Sequence, residues 1–385
     1  MKTYDWIVVG AGIAGAALAY ELAKKGCKVL LLDQNAIANN ATRFSYGGLA
    51  FWSGTTPLTR QLCDEGMARH RILSEELDAD TEFQELDLLL TISAEADPEA
   101  VAASYSRFAI PPKLLSVKEA CELEPLLNQE EIAGALTVKH GHIHPEKTAQ
   151  AYIDAFLRAG GEMEFTQVVQ IVQKGVTTTK ETYYGAHTVV CAGGLSRQFL
   201  KSSGISMKLY FTHAEMIETP PVDVQLRTLV MPANLQRFHL EANSTKNDEL
   251  WEQPSLEIIP PILDAGAIQF RDGSFRLGQI SRALTDPHAN IDSEQSEAAL
   301  RASIRKILPK LGNLPGTWHH CLVSFSNDAL PLIGLIPERE DVHVFSGFSN
   351  PLVIVPPLAQ RFASWIFGME DEIITKLSPV RFQDF

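Results

Sequence analysis

The stretch that decides the fold is residues 4–34, which read YDWIVVGAGIAGAALAYELAKKGCKVLLLDQ. A short apolar run at 6–9 predicts a buried strand, and residues 16–25 are rich in helix formers up to Gly26, which ends the helix. Residues 29–32 form a second apolar run, and Asp33 closes it. This order of strand, glycine turn, helix, strand and acid is typical of a dinucleotide-binding βαβ unit.

The glycines of this unit have separate physical roles. Gly10 allows a tight turn, Gly12 lets a pyrophosphate approach the backbone, and Gly15 lets the helix pack closely on the strand. The helix N-terminus, with Ile13 and Ala14 in its first turn, then presents free N–H groups and a positive dipole end to the phosphates. A glycine turn in an ordinary βαβ unit is the alternative interpretation.

The acid and the loop after it extend the predicted site. Asp33 lies where it can accept hydrogen bonds from a ribose diol, and Gln34 follows it. Residues 35–54 are polar, small and glycine-bearing, which suits a backbone that runs along an extended cofactor; a cluster of surface turns would show the same composition. The candidates in this loop are Arg43, Ser45, Gly47 and Gly48.

The composition limits the class of protein. With 385 residues, 45% hydrophobic and 21% charged, the chain is expected to form a globular protein of two domains. Its net charge of −14 argues against nucleic acid or an anionic membrane surface as the main partner. The five cysteines lie far apart and no secretory or membrane-spanning pattern is present, so a reducing cytoplasm is expected.

The order of segments favours FAD over NAD. An α/β fold (α+β overall) is predicted, in which a Rossmann-like nucleotide-binding domain comprises 1–82, 144–205 and 322–385. Residues 83–143 and 206–321 are predicted to form a discontinuous, mostly antiparallel substrate-binding sheet, with strands that include residues 235–241. Such interleaving is typical of flavoproteins, and without a second Gly-x-Gly-x-x-Gly no separate nicotinamide site is indicated.

Four segments together resemble the FAD-dependent D-amino acid oxidase superfamily: the N-terminal fingerprint, residues 192–194, residues 275–278 and residues 328–334. Length and local spacing are most similar to monomeric sarcosine oxidase and glycine oxidase. The resemblance covers nearly the whole chain, and it implies an enzyme that contains FAD. Further cofactor contacts are implied at Val169, Ala192, Gly193, Gly347, Phe348, Ser349, Asn350 and Leu352.

The resemblance also implies roles near the flavin ring. Arg60 corresponds to an arginine that holds the substrate carboxylate, Arg276 to a lysine that assists oxygen, and Cys321 to a cysteine bonded to FAD. The sequence departs from the family at Val323 and Ile354, where relatives carry a substrate-binding arginine or lysine. These departures put a simple small amino acid substrate in doubt.

Histidines 140, 142 and 144 look at first like a metal cluster, but the glycine and proline among them favour a turn, and no metal is assigned. His213 and His239 are expected on substrate-sheet strands.

Three functions stay open. The first is an oxidase of amines or amino acids, in which hydride passes to flavin N5, the imine hydrolyses and electrons pass to O2. The second is a dehydrogenase of the same fold that passes electrons to a quinone or carrier. The third is a flavin-binding module without amine turnover.

Overall fold

A computed structural model describes residues 2–337 and 339–382. The first half of the chain forms β1 (Thr3–Val9), α1 (Ile13–Lys24), β2 (Val29–Asp33), α2 (Ala41–Phe44), β3 (Gly48–Leu49), α3 (Pro57–Glu76), β4 (Gln84–Ser93), α4 (Pro98–Ser104), β5 (Lys113–Leu115), α5 (Val117–Leu123), β6 (Ile132–His142), α6 (Pro145–Arg158), β7 (Glu162–Phe165), β8 (Val168–Val172), β9 (Gly175–Thr178), β10 (Thr182–Val190) and α7 (Ser196–Ser202). The second half forms β11 (Leu209–Glu218), β12 (Leu229–Pro232), α8 (Gln236–Ser244), β13 (Ile262–Gln269), β14 (Phe275–Arg282), α9 (Ser293–Ile307), β15 (Thr317–Ser326), β16 (Leu332–Leu335), β17 (Val342–Ser346), α10 (Pro351–Trp365) and α11 (Glu372–Lys376).

The first sheet is the Rossmann-like layer. Its strand order is β16-β17-β10-β1-β2-β7, and the pairs from β17 to β7 are parallel. Neighbouring residues Ile7 and Val8 of β1 are both fully buried, because the sheet is covered on both faces. Helices α1, α6 and α10 supply part of that cover, packing their apolar sides into one core with β1 and β2. The predicted βαβ unit is therefore confirmed.

The second sheet is mostly antiparallel, in the order β15-β11-β14-β13-β12-β4-β6-β3, with β12 and β4 parallel. One of its faces packs against α9 through Leu300 and Ile304. The opposite face, which we call the inner face, receives Phe44 of α2. The loop after β2 therefore joins the two sheets.

The sheets do not follow the predicted domain bounds in every place. The second sheet includes β3 and all of β15, although residues 48–49 and 322–326 lie within the predicted nucleotide-binding ranges. The division into two domains stays a prediction. None of the helices within the described ranges has the length and apolar content needed to span a bilayer.

Two local predictions were wrong. Residues 235–241 lie mainly in helix α8 and not in a strand, so His239 is helical. His140 and His142 lie on β6, which continues through Gly141.

Candidate active site

Two glycines of the first turn are required by packing. Gly10 has φ +104°, and a Cβ there would lie 2.6 Å from the carbonyl oxygen of Cys191. A Cβ on Gly15 would lie 1.8 Å from the carbonyl oxygen of Gly10. Side chains at either position would therefore push the helix, the turn and β10 apart.

Gly12 is less crowded. Among the described residues, Oγ1 of Thr42 is the one atom that would come within 4 Å of a Cβ at Gly12, at 3.2 Å. The same hydroxyl accepts a 2.9 Å hydrogen bond from the N–H of Ile13, and the first turn of α1 carries no acidic residue. Ala14 follows in that turn. A helix N-terminus that begins at a glycine and has no acidic residue in its first turn fits a pyrophosphate.

Asp33 lies beside this turn at the end of β2. Its Oδ2 accepts a 2.7 Å hydrogen bond from the N–H of Ala11, and its side chain is half-buried, whereas Gln34 is exposed. The N–H of Thr166 donates to the carbonyl of Asp33 at 2.7 Å, which brings the start of β8 close by. Val169 is the extra residue of a bulge between β8 and β9, so its backbone is not held in the regular ladder.

Ala192 and Gly193 continue the same groove after β10. The hypothetical Cβ of Gly10 would lie 3.2 Å from the Cα of Ala192, so the two turns are in contact. Gly193 has φ +54°, and a Cβ there would meet nothing within 4 Å. The open turn is therefore available for close approach by a ligand.

The segment before α10 closes the far end of the site. Gly347 has φ +81°, and the hydroxyl of Ser349 donates to the carbonyl of Ala329 at 2.6 Å. The side-chain amide of Asn350 donates to the carbonyl of Ala50 at 3.4 Å. Phe348 and Leu352 are buried in the core, so their side chains face away from solvent. The side chain of Asn350, at the N-cap of α10, accepts no capping hydrogen bond within the described residues.

Arg43 ties the loop after β2 to the second sheet. Its two terminal nitrogens donate to Glu218 at 2.6 and 2.9 Å, and its Nε lies 3.2 Å from Glu146. Burial raises the pKa of Glu218, but the hydrogen bonds from Arg43 and the charge of Arg276 outweigh it and the net shift is downward. The Arg43 side chain is thus held by carboxylates.

Arg276 lies at the centre of this junction with only 2% of its surface exposed. Its guanidinium donates to the carbonyl of Ser45, lies 3.5 Å from Glu218 and stacks 4.6 Å from the ring centre of Phe270. Burial lowers the pKa of Arg276, and Glu218 opposes that shift. Arg276 therefore fixes the backbone of the loop while it keeps a positive charge next to it.

Histidines of β6 support the glycine pair of the loop. A Cβ on Gly47 or Gly48 would come within 2.7 Å of the Nε2 of His142 or His140, respectively. The indole of Trp52 donates to Nδ1 of His140 at 3.0 Å, and Nε2 of His142 lies 3.1 Å from the Tyr46 carbonyl. These imidazoles hold the loop by packing, and no cluster of metal-binding side chains occurs in the part of the chain described.

Cys321 lies on the inner face, opposite Ala214 of β11 and packed with Phe44 and Met216. Burial raises the pKa of its thiol to about 12, and the charges of Arg237 and Arg276 act in the opposite direction. The structure thus places Cys321 beside the loop that carries Ser45 and Tyr46.

Polar groups continue along the inner face. Gln279 donates to Ser281 at 2.8 Å on β14, and Asn234 donates to Asp264 of β13 at 2.9 Å. The hydroxyl of Tyr46 is buried and has no hydrogen-bond partner among the residues described. A buried hydroxyl without a partner indicates a place for a polar ligand.

Comparison with known proteins decides the family. Residues 5–365 match the family DAO, described as FAD dependent oxidoreductase. The chain belongs to this family. Its sequence is 24% identical over 379 residues to glycine oxidase of Geobacillus kaustophilus, covering 92% of this chain and 90% of the relative. It is 29% identical over 219 residues to monomeric sarcosine oxidase of Streptomyces avermitilis, covering 53% and 55%.

The fold agrees with that assignment. The crystal structure of the Geobacillus kaustophilus glycine oxidase superposes with a TM-score of 0.81 at 20% identity, covering all of both chains. The predicted fold class, the FAD cofactor and the oxidoreductase class are therefore confirmed. In this FAD-dependent oxidoreductase, the groove from Asp33 past Gly12 fits the AMP and pyrophosphate parts of the cofactor.

The side chain of one predicted residue, Arg60, is held by backbone carbonyl groups. Arg60, in the first turn of α3, is exposed, and its guanidinium donates to the carbonyls of Gly54 at 3.4 Å and Arg107 at 3.1 Å. It makes no contact with Arg276 or Cys321 in the described hydrogen-bond network. Its role in carboxylate binding stays a prediction.

Sequence reasoning missed several groups in this oxidoreductase. Thr42 is one, although a hydroxyl residue in the polar loop after Asp33 was a usable signal. Glu218, Asp264 and Arg237 are the others, and their positions follow only from strand pairing and from the helical form of residues 236–244.

Proposed function

We propose that the protein is an oxidase of the C–N bond of a small amine or amino acid, with O2 as the electron acceptor. The observation that carries this proposal is the polar part of the inner face, where the Tyr46 hydroxyl, which has no hydrogen-bond partner in the described part of the chain, shares its surroundings with Asp264, Arg276 and Cys321. Each of these three groups acts electrostatically on the pKa of Tyr46, which burial raises strongly. Glycine oxidase and sarcosine oxidase, as relatives, support the same class of substrate.

The reaction balances as follows. The substrate carbon next to nitrogen loses a hydride and the nitrogen loses a proton, which leaves an imine; water then converts the imine to a carbonyl compound and a free amine. Bound FAD supplies the two-electron acceptor, and reoxidation by O2 with two protons gives hydrogen peroxide. The chain itself binds the amine, orients the reacting carbon and excludes water from the inner face.

Arg276 is the residue proposed to support the oxygen step. Its buried positive charge lies next to the Ser45 backbone, and a fixed cation in a region of low dielectric stabilises negative charge that forms nearby. The cytoplasmic location expected from the sequence also stays a proposal.

The decisive experiment is an anaerobic titration of the purified holoprotein with a panel of amines and amino acids, followed by admission of air. We expect a member of the panel to bleach the flavin absorbance near 450 nm, and air to restore it rapidly with formation of peroxide. Bleaching that air restores only slowly would favour a quinone or carrier as acceptor. A panel in which nothing bleaches the flavin would overturn the proposal and favour a binding module.

A further inference from the structure

Two oppositely charged side chains meet the inner face from different elements. Asp264 comes from strand β13, and Arg237 comes from the first turn of helix α8, which packs on that strand. Asn234, three residues before Arg237, donates to Asp264 at 2.9 Å and so fixes the start of the helix next to the carboxylate.

Asp264 lies in a bulge of β13, which affects the direction of its side chain. The register between β13 and β14 passes from Leu263–Ile280 to Gly266–Gly278, so β13 has one more residue than its partner at this point. Bulges of this kind re-aim side chains and are frequent next to active sites. The side chain is buried, with 8% exposure for the residue, yet Asn234 is its one hydrogen-bond partner among the residues described. Further acceptor positions on the carboxylate therefore stay available.

The guanidinium of Arg237 has hydrogen-bond donors that the described residues leave unused. Its Nε donates to Glu241 at 3.0 Å, whereas its two terminal nitrogens donate to no group within residues 2–337 and 339–382. The side chain is one-third exposed, so it lies at the rim of the inner face. Its positive charge acts on both the Asp264 carboxyl and the Cys321 thiol, where it partly offsets the rise in pKa that burial causes.

We propose that Arg237 binds the carboxylate and Asp264 the amino group of a zwitterionic amino acid, an inference that rests on the proposed function. The paired terminal nitrogens of an arginine match the two oxygens of a carboxylate, and a buried carboxylate is a suitable partner for a substrate ammonium group. Val323, which packs against the cluster that contains Cys321, brings no charge to this face, whereas Arg237 of α8 brings a positive charge to its rim.

The test compares matched ligands with and without a carboxylate on holoprotein variants R237M and D264N. Anaerobic flavin bleaching gives apparent affinities for N-methylglycine against dimethylamine, glycine against methylamine, and L-proline against pyrrolidine. Calorimetry gives the affinity for acetate, which carries a carboxylate but no amine. R227M and D223N, which change exposed loop residues, are the controls, and thermal unfolding verifies that each variant is folded.

We expect R237M to weaken the binding of the amino acids and of acetate at least tenfold, whereas the simple amines should bind as they do to the wild type. D264N should weaken every amine-bearing ligand and leave acetate binding intact, and R237K should restore part of the loss. If wild-type flavin is bleached but R237M weakens acids and amines equally, the inference is wrong although the proposed function stands. If nothing bleaches the wild type, the proposed function fails, and unchanged acetate binding in R237M would then reject the role of Arg237 as well.

Discussion

The carboxylate of Asp33 accepts a 2.7 Å hydrogen bond from the backbone N–H of Ala11, so the acid at the end of β2 fixes the glycine turn after β1. Its second oxygen accepts from the N–H of Asn35 at 2.9 Å. Replacement by alanine removes both bonds and the expected ribose acceptor. Because a hydrogen bond to a charged group contributes about 1.5–3 kcal/mol, we expect D33A to weaken FAD binding roughly 10- to 100-fold.

Titration of the apoprotein with FAD, followed by flavin fluorescence, measures this loss. Asp5 offers a matched control, because its carboxylate also accepts a 2.7 Å bond from a backbone N–H, that of Lys28, at the opposite end of the same βαβ unit. D5A should bind FAD as the wild type does. Equal affinities in D33A and D5A would show that Asp33 does not contribute to the cofactor site.

Gly12 and Gly15 should respond differently to the same substitution. A Cβ at Gly15 would overlap the backbone oxygen of Gly10, so G15A should lower the thermal unfolding temperature of the FAD-free protein strongly. Among the described residues, a Cβ at Gly12 would meet the Thr42 hydroxyl alone, at 3.2 Å, so G12A should lower the unfolding temperature much less than G15A and yet bind FAD at least tenfold more weakly. Wild-type FAD affinity in G12A would contradict the assignment of Gly12 to the pyrophosphate.

The N-terminal unit could be predicted because its signal is local. The strand, turn, helix and acid lie within residues 4–34, and the roles of Gly10 and Gly15 depend on atoms that the unit itself or the turn after the next parallel strand supplies. The inner face could not be predicted in the same way. Its members come from β11, β13, β14, β15 and α8, and their neighbours depend on strand pairing between distant segments.

Residues 235–241 show why part of the site could not be predicted from the sequence. Leu235, Phe238 and Leu240 give a short, partly alternating apolar pattern that suits a strand as well as a helix. The structure is helical, and Leu240, Glu241 and Ser244 form its buried side at helical spacing. A strand over residues 235–241 does not place Arg237 at the site, whereas the helix does.

Acid should destabilise the folded protein through its buried histidines. Burial lowers the pKa of His140 to about 3 and that of His142 to about 4, whereas an unfolded histidine titrates near 6.5. Below pH 6.5 the unfolded chain therefore binds protons that the folded chain does not. Each of these histidines should lower the free energy of unfolding by about 1.4 kcal/mol per pH unit, down towards its folded pKa.

Urea unfolding at pH 7.5, 6 and 5 measures this slope. H140Q should be less stable than the wild type at pH 7.5, because Trp52 loses its acceptor, but its stability should fall less steeply towards pH 5. H288Q, which changes an exposed histidine, serves as the control variant. The same slope in H140Q and wild type would rule out His140 as a source of the acid sensitivity.

The predicted covalent attachment of FAD depends on Cys321. The thiol faces the same side of the second sheet as Ala214 and Met216, next to the loop that carries Ser45. Burial disfavours the thiolate, but Arg237 and Arg276 offset part of that cost, and a thiolate is the nucleophile that a thioether needs. Attachment would replace the S–H bond and one C–H bond of the flavin by a C–S bond, and the two electrons released would reduce the flavin, which O2 would reoxidise. We expect yellow colour to stay with wild-type protein precipitated in acid and to move to the supernatant for C321A.

C63A is a matched control, since Cys63 is also buried but lies in α3 within the core of the first sheet. Flavin that leaves the wild-type pellet would show that Cys321 is a packed thiol and that FAD is held without a covalent bond.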